Sequence, residues 1–219
     1  FTQSIRKSLE LLSNSEIALQ QKKYMRDKFD FLGVKSPERK LVLKAFLKQV
    51  SMPKNIWEQI QDLWQQDERE FQYCAVEILL QYANKKMDEK DIVELEKITL
   101  DKSWWDSVDA LSAVVGKYFL QYPEKKQSVT EKWLDSNQIW LIRMAIIFQL
   151  AYKHKTDKDL LFDNILKAAS HKDFFVRKAI GWALRQYARV EAQEVIDFVE
   201  NNRPILSSLS IKEALKYLN

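Results

Sequence analysis

The stretch Leu141-Ile-Arg-Met-Ala145 has counterparts at regular distances along the chain, and this recurrence decides the fold. Each counterpart places a large apolar residue four positions before a small one, as in Phe71-Gln-Tyr-Cys-Ala75 and Phe175-Val-Arg-Lys-Ala179. Trp105-Asp-Ser-Val-Asp109 completes the series, and successive members are 34, 36 and 34 residues apart. A period of this length is typical of stacked helix pairs, in which each unit buries its apolar face against its neighbours. The recurrence predicts a right-handed α-solenoid of HEAT-like antiparallel helix pairs.

Glycine and proline are scarce, which favours long helices. The chain of 219 residues contains three glycines and four prolines, so long stretches consist of helix-forming residues. This composition predicts an all-α protein that forms a single HEAT-like repeat domain over residues 1–219. It also argues against nucleotide-binding loops, because Walker loops and dinucleotide fingerprints need glycines at close, fixed spacing. We therefore expect no cofactor of this kind.

The reactive side chains give no sign of a metal centre or an activated nucleophile. His154 and His171 have no Cys, Asp or Glu at ligand spacing, so no metal is expected. Cys74 is the one cysteine and lies in an apolar run, which is typical of a buried residue in a reducing compartment. We find no uninterrupted apolar run of about 18 residues, so membrane insertion is not expected. These features predict a cytoplasmic protein.

Local signals place two helix starts and one irregular loop. Ser13 and Ser210 each stand three residues before a glutamate, which is the spacing of a capping box at a helix N-terminus. The least regular connection runs from residue 29 to residue 36, around Gly33. Because irregular loops carry function more often than the elements they join, this loop is a candidate for contact with a partner.

An acid replaces the small residue in one unit of the series, since Asp109 stands where the others have alanine. On a helix, Trp105 and Asp109 share a stripe with small residues, whereas Trp104 falls on a strongly apolar stripe and is expected in the core. An aromatic ring beside an acid fills a core poorly but is suited to holding a developing cation. The alternative is an acid on an exposed turn, or one paired with a neighbouring Lys or Arg.

Arg143 is the single charge in the apolar segment from Ile139 to Tyr152, which is predicted to form one helix. A guanidinium in such surroundings must find an anion or reach an open groove. One interpretation is an internal salt bridge to a carboxylate of an adjacent repeat, either Asp106 or Asp109. The other is contact with a phosphate, and the sequence of this helix does not separate the two.

A basic stripe with an aromatic residue set into it follows in the next unit. Its members are spaced i, i+4, i+7 and i+11 and are Lys178, Trp182, Arg185 and Arg189. Cations at this spacing suit a sugar-phosphate backbone, and a flat ring suits a sugar or base. The alternative is a solvated helix face with Trp182 turned into a crevice. The net charge of +4 is only weak evidence for an acidic partner, so the placement of the cations matters more.

Four separated motifs together resemble the AlkD family of DNA alkylation repair glycosylases. They are Trp-Trp-Asp-Ser-Val-Asp at 104–109, Trp-Leu-Ile-Arg at 140–143, Ala-Ile-Gly-Trp-Ala-Leu-Arg at 179–185, and the segment from Tyr-Met to Phe-Leu-Gly-Val at 24–34, which Ser-Pro-Glu-Arg follows. The resemblance implies a solenoid whose concave, basic surface holds duplex DNA. It also implies excision of N3- and N7-alkylated purines without a metal or nucleotide cofactor.

The resemblance also implies roles for individual residues. Trp105 and Asp109 correspond to the family's catalytic pair, Trp182 to its second active-site tryptophan, and Arg143 to an arginine that contacts phosphate. Further DNA contacts are expected from the basic stripe and from the irregular loop, at Lys178, Arg185, Arg189 and Lys35. Partners other than duplex DNA with alkylated purines are not implied, and a monomer is expected.

The chemistry expected of this set is hydrolysis of an N-glycosidic bond by a monofunctional DNA glycosylase. An alkylated purine carries a positive charge and leaves readily, so the enzyme must mainly stabilise an oxocarbenium-like sugar. Asp109 would stabilise that cation and orient a water molecule, while Trp105 and Trp182 hold the deoxyribose. The alternative is a non-catalytic HEAT-repeat DNA-binding protein in which Asp109 is structural. A protein-binding scaffold is a third possibility.

Overall fold

The computed structural model describes residues 1–50, 53 and 55–218, and the regular structure within them is helical. Across these ranges the chain forms thirteen α-helices and no β-strand, with one isolated bridge between Asp30 and Glu68. None of the helices in the described ranges has the length and apolar character needed to cross a membrane. The all-α class predicted from the sequence is confirmed.

The chain divides into two compact units, Phe1–Tyr82 and Ala83–Asn219. The prediction of one repeat domain over the whole chain stays a prediction. The helices that begin in the first unit are α1 Thr2–Glu10, α2 Ser15–Tyr24, α3 Ser36–Gln49, α4 Ile56–Gln65 and α5 Arg69–Ala83. Helix α1 packs against α3 and α4. Its apolar residues Ile5 and Leu9 are fully buried and contribute to the apolar core of this unit.

A buried carboxylate holds the irregular loop that the sequence placed at residues 29–36. Glu70, in the first turn of α5, accepts hydrogen bonds from the backbone N–H groups of Leu32, Gly33 and Val34, at 2.9 to 3.1 Å. Gly33 has a φ of 83°, and a Cβ there would lie 2.0 Å from the carbonyl oxygen of Asn14. Only glycine fits at this point, because both the backbone angle and the available space exclude a side chain.

The second unit is built from eight further α-helices. They are α6 Asp91–Leu100, α7 Trp105–Gln121, α8 Lys126–Leu134, α9 Ile139–Ile147, α10 Lys158–Ala168, α11 Phe174–Tyr187, α12 Ala192–Asn201 and α13 Ser208–Ala214. Two short 3-10 turns, at Pro123–Lys125 and Lys153–Lys155, precede α8 and α10.

These eight helices form two layers within the second unit. Helices α7, α9, α11 and α13 lie side by side in chain order, and each contacts the next. In the other layer, α6 packs on α7 and α9, α8 and α10 pack on α9, and α12 packs on α11 and α13. This stacking of successive helices is the arrangement that the repeat period predicts.

The small residues of the repeat lie where helices approach one another. Ala75, Ala145 and Ala179 are fully or almost fully buried in α5, α9 and α11. Helix α9 is shorter than predicted, because it ends at Ile147 and the chain continues in turns to Tyr152. The buried side chains of this segment come from a helix and a turn together, which apolar composition alone does not distinguish.

Both predicted capping boxes are wrong in position. Helix α2 is capped by Asn14, whose side chain accepts a hydrogen bond from the backbone N–H of Ile17. Helix α13 is capped by Ser207, which accepts from the backbone N–H of Ser210. In each case another side chain of the same capping class stands within a few residues, and spacing to a glutamate does not choose between them.

Candidate active site

Helix α7 presents one buried face and one face that carries the acid. Val108, Leu111, Val115 and Tyr118 are fully buried, as the apolar stripe predicts. Trp104 is an exception to that stripe, because it precedes the helix as its N-cap and is only half-buried. The expectation that Trp104 is a core residue is therefore wrong.

Trp105 and Asp109 lie at the start of α7, one turn apart on the same side of the helix. Trp105 is the first residue of the helix and is half-buried. The Ser112 hydroxyl donates to the backbone carbonyl of Asp109 at 2.7 Å, so this polar side chain is satisfied within the helix. Residues four apart on a helix are neighbours on its surface, so the Trp105 ring and the Asp109 carboxylate share one side of α7.

Asp109 forms a two-pronged ion pair with Arg143 of the neighbouring helix α9. The Arg143 Nε donates to Asp109 Oδ1 at 2.7 Å, and Nη2 donates to Oδ2 at 2.9 Å. The Arg143 side chain is 5% exposed and that of Asp109 is 18% exposed. The salt bridge is one of the two interpretations open from the sequence. Parallel N–H···O bonds of this kind fix the plane of the carboxylate as well as its position.

Burial raises the pKa of Asp109 above its ordinary value, and the Arg143 guanidinium opposes that rise. Desolvation disfavours the charged form of an acid, whereas a nearby cation and the hydrogen bonds it donates favour it. Both carboxylate oxygens accept hydrogen bonds from the guanidinium, which favours the ionised form of the acid. The guanidinium therefore favours a negative charge in surroundings that would otherwise suppress it.

A backbone carbonyl and a cluster of rings complete the surroundings of Arg143. Its third donor, Nη1, bonds the carbonyl oxygen of Phe175 at 2.5 Å. The Phe175 ring packs against Trp104 and Trp140, with centroids 5.1 Å apart in both cases. Trp140 and Phe175 were not predicted as site residues. Each stands near the N-terminus of its helix, Trp140 on α9 and Phe175 on α11.

Trp182 of α11 lies near the same guanidinium. The Arg143 Cζ is 5.9 Å from the centroid of the Trp182 ring, within reach of a cation-π interaction. Trp182 is half-buried and packs against the core around α9 and α11. The fold therefore brings Trp182, Arg143 and Asp109 together from three successive helices of one layer.

The basic stripe on α11 is partly neutralised by one acid of α13. The Glu213 carboxylate accepts from Lys178 Nζ at 2.8 Å and also from Arg185 Nη1. These two cations hold the pKa of Glu213 below its usual range. Arg189 lies beyond the end of α11 and is exposed. Gly181 permits this packing, because a Cβ there would lie 2.4 Å from the Glu213 Cβ.

Lys35 belongs to the first unit and is exposed at the start of α3. Its backbone N–H donates to the Glu38 side chain at 3.2 Å, which anchors the first turn of that helix. The Lys35 side chain stands immediately after the loop that Glu70 holds. The structure thus presents this lysine beside a fixed loop.

The remaining reactive groups are inert or dispersed. Cys74 is buried, and burial raises the pKa of its thiol to about 12, which fits the sequence prediction of a small buried residue. Within the described ranges, no group of three or more His, Cys, Asp or Glu side chains is placed to hold a metal. The second unit holds one carboxylate, Asp109, that two hydrogen bonds from Arg143 orient.

Comparison with known proteins gives a consistent assignment. A profile of the family described as "DNA alkylation repair enzyme" matches residues 5–218. Among solved structures, the chain is similar to a "Predicted DNA alkylation repair enzyme from Enterococcus faecalis", with 33% sequence identity and a TM-score of 0.86. That similarity covers 94% of this chain and 96% of the other. The comparison with curated proteins found no match.

Proposed function

The chain belongs to the DNA alkylation repair enzyme family, and from this premise we propose that it is a monofunctional DNA glycosylase. Its substrate is duplex DNA that contains N3- or N7-alkylated purines, and it hydrolyses the N-glycosidic bond of the damaged nucleotide. The observation that carries the proposal is the Asp109 carboxylate, which two charge-assisted hydrogen bonds orient while 18% of the side chain stays exposed.

The reaction needs a fixed negative charge more than it needs an acid. An alkylated purine is already cationic, so the C1′–N bond breaks with its electron pair leaving on the base. The sugar becomes an oxocarbenium-like cation, and the oxygen of a water molecule then bonds C1′ and releases a proton to solvent. Asp109 stabilises that cation and accepts a hydrogen bond from the water through a lone pair that Arg143 leaves unoccupied.

Arg143 acts in this proposal as a positioning residue. The side chain is buried, and three of its nitrogen atoms already donate to Asp109 and to the Phe175 carbonyl. Its main effect is thus to orient the carboxylate and to keep it ionised against the cost of burial. Contact between Arg143 and a phosphate stays a prediction, and it would require one of these bonds to be shared.

The two tryptophans supply flat surfaces near the carboxylate in this proposal. Trp105 precedes Asp109 by one helical turn, and Trp182 lies beside the Arg143 guanidinium. Rings in these positions hold a deoxyribose by contact and attract positive charge that develops on it. A gain of about 1.4 kcal/mol that is realised only in the transition state raises the rate about tenfold.

DNA binding relies in this proposal on cations of both units. Lys178 and Arg185 offer charge that Glu213 only partly neutralises, because one carboxylate faces two cations. Arg189 is exposed, and Lys35 is exposed in the first unit. Each cation that replaces a counterion on a phosphate adds to the salt dependence of binding.

The deciding experiment compares wild type with Asp109→Asn under single-turnover conditions. The substrate is a duplex with one 7-methylguanine, and the freed base is quantified. We expect release by wild type and at least a hundredfold slower release by Asp109→Asn, about the loss seen when one transition-state contact is removed. Binding of the same duplex should survive in the variant. Equal release by both proteins would remove Asp109 from the mechanism.

A second candidate function is a DNA-binding protein without catalysis. The observation in its favour is the same ion pair, because a carboxylate held by a buried arginine also describes a structural salt bridge. This candidate predicts that both proteins bind the duplex and that neither releases the base. The experiment above therefore separates the two.

A further inference from the structure

A cleft with three lysines lies between the second half of α7 and the turn that follows α9. We call it the lysine cleft, and its lining includes Ser112, Gly116, Lys117, Tyr152, Lys153 and Lys155. Its volume is about 410 Å³, with a floor of apolar side chains. No sequence motif pointed to it, because Lys117 is 36 residues away from Lys153 in the chain.

The charge of the lysine cleft is not compensated from within. None of the described residues that line it is acidic. Lys117 donates from Nζ to Asn84 Oδ1 at 2.6 Å, and this amide partner leaves its positive charge intact. Lys153 and Lys155 are exposed, and neither forms a salt bridge within the described part of the chain. Three cations without an anion favour binding of an anionic ligand.

This cleft differs from the cations that the sequence singled out. Arg143, Lys178 and Arg185 each have a carboxylate partner inside the protein. A ligand phosphate must compete with those partners, whereas at the lysine cleft it competes only with water and small counterions. Uncompensated cations release counterions on binding a phosphate and so contribute the full electrostatic gain.

The lysine cleft begins on the same stripe of α7 as the acid. Ser112, in its lining, donates to the Asp109 carbonyl, and Gly116 follows one further turn along the helix. At 1.5 Å per residue, Gly116 is roughly 10 Å from Asp109 along the axis. A DNA strand advances about 3.4 Å per nucleotide, so the cleft is within about three nucleotide steps of the acid.

The turn after α9 is held in place at this cleft. The Tyr152 hydroxyl donates to the Gly116 carbonyl at 2.5 Å, and a Cβ on Gly116 would lie 2.6 Å from the Phe148 carbonyl oxygen. Lys153 has a φ of 55°, a left-handed conformation that is unfavourable for a lysine. The turn thus presents Lys153 and Lys155 beside α7 at fixed positions, in spite of this local cost.

We infer that the lysine cleft binds the phosphodiester backbone of the strand that carries the lesion, within a few nucleotides of the damaged one. This inference rests on the proposed function, because it takes Asp109 as the position of the damaged nucleotide. The cleft fixes how far the strand advances along α7, and in this way it places the sugar at the carboxylate.

The test is the triple variant Lys117→Gln, Lys153→Gln and Lys155→Gln, in which each side chain keeps most of its length. Its matched control is Lys132→Gln, Lys158→Gln and Lys167→Gln, which removes the same charge from α8 and α10. Each lysine of the control set has a carboxylate partner within the protein. Thermal unfolding of both variants establishes that they fold, and the singles Lys153→Gln and Lys155→Gln replace the triple if it does not.

The probe is a duplex with one 7-methylguanine, and binding is titrated over a range of salt concentrations. We expect the slope of log K against log salt to fall by about 2 to 3 in the cleft variant, because each phosphate contact contributes about 0.9. For the singles, the expected fall is about 0.9 each. The control should change the slope by less than about 0.9, the contribution of one phosphate contact. An unchanged slope in the cleft variant, or an equal fall in the control, overturns the inference.

The rate at saturating protein separates this inference from the proposed function. The control variant should release the base at the wild-type rate once the duplex is fully bound, whereas the cleft variant should need a higher protein concentration to reach half of its maximal rate. Absence of base release in wild type would overturn the glycosylase proposal, yet the salt titration would still decide whether the cleft binds DNA.

Discussion

At two junctions between helices of the second unit, an acid pairs with one or two cations, and the pKa of the acid shifts in opposite directions. Between α7 and α9, one carboxylate, Asp109, meets one cation, and burial raises its pKa. Between α11 and α13, Glu213 meets both Lys178 and Arg185, and they lower its pKa. The side-chain exposures of the two acids are close, at 18% and 16%. Burial is the main cause of the shift at Asp109, whereas hydrogen bonds from the two cations outweigh burial at Glu213.

Under the proposed function, this difference separates a carboxylate suited to chemistry from one suited to structure. Glu213 is satisfied twice over, so an additional cation gains little from approaching it. Asp109 is held in place but carries a charge that its surroundings disfavour, so a positive charge that develops nearby relieves this cost. The Trp182 ring lies near the Arg143 partner of Asp109, with the guanidinium carbon 5.9 Å from the ring centroid. An acid paired with a cation thus responds differently to an additional positive charge at each junction.

Removal of the cation at each junction should give the largest contrast. We expect Arg143→Met to lower the free energy of unfolding by about 3 kcal/mol, because it leaves a buried carboxylate unpaired. Lys178→Met should cost less than about 1 kcal/mol, since Arg185 still neutralises Glu213. Urea unfolding at pH 7 measures both.

The double variant Asp109→Asn and Arg143→Met is the control for that contrast. It removes both charges, so most of the lost stability should return. Equal losses for Arg143→Met and Lys178→Met would mean that the two junctions are electrostatically alike, and the distinction drawn here would fail.

The acid limb of the pH-rate profile should move when Arg143 is changed. The proposed chemistry needs ionised Asp109, so activity is lost as the pH falls through the pKa that burial has raised. Arg143→Gln removes the cation that opposes this rise, so the pKa of Asp109 increases further and the limb shifts to higher pH. Single-turnover rates across pH measure the shift.

Glu213→Gln serves as the control for the pH profile. It removes an acid of the other junction, so the limb should stay where it is in wild type. If the acid limb shifts in Glu213→Gln and not in Arg143→Gln, the titrating group belongs to the Glu213 junction. That result would contradict the role given to Asp109.

Trp182 should contribute less than either charge. Trp182→Phe keeps an aromatic face beside Arg143 but reduces its area, and we expect base release to slow by about tenfold, or 1.4 kcal/mol. Trp140→Phe is a matched control, because Trp140 belongs to the ring cluster around Phe175. Similar losses in both variants, measured in single turnovers, would point to packing and not to contact with the sugar.

The sequence predicted the layers of the second unit better than it predicted the partners within them. A period of 34 to 36 residues and buried alanines such as Ala145 mark the helices that stack, because packing imposes small residues wherever helices approach closely. The same register isolated Asp109 as the departure. Whether Arg143 faced that acid or a ligand was open, because one helix sequence does not say which neighbouring helix its charge meets.

The sequence did not predict features that form between helices or that depend on where a helix begins. Trp104 lies on an apolar stripe only if the helix includes it, and the helix begins one residue later. The lysine cleft joins Lys117 to a turn far along the chain, and the partner of the basic stripe, Glu213, comes from another helix. Patterns of spacing report on one helix at a time, whereas these sites form between helices.

Of the variants proposed here, Glu213→Gln should have the smallest effect. The direction in which it changes duplex affinity is informative. If Lys178 and Arg185 contact phosphates in the complex, the phosphates compete with the Glu213 carboxylate for these two cations. Removal of that carboxylate charge frees them, so duplex binding should tighten by about twofold to threefold, or less than 1 kcal/mol. Fluorescence anisotropy at two salt concentrations measures it, with Glu131→Gln on α8, the partner of Lys167, as the charge-matched control. If both variants tighten binding equally, the gain comes from net charge, and Lys178 and Arg185 return to a purely structural role.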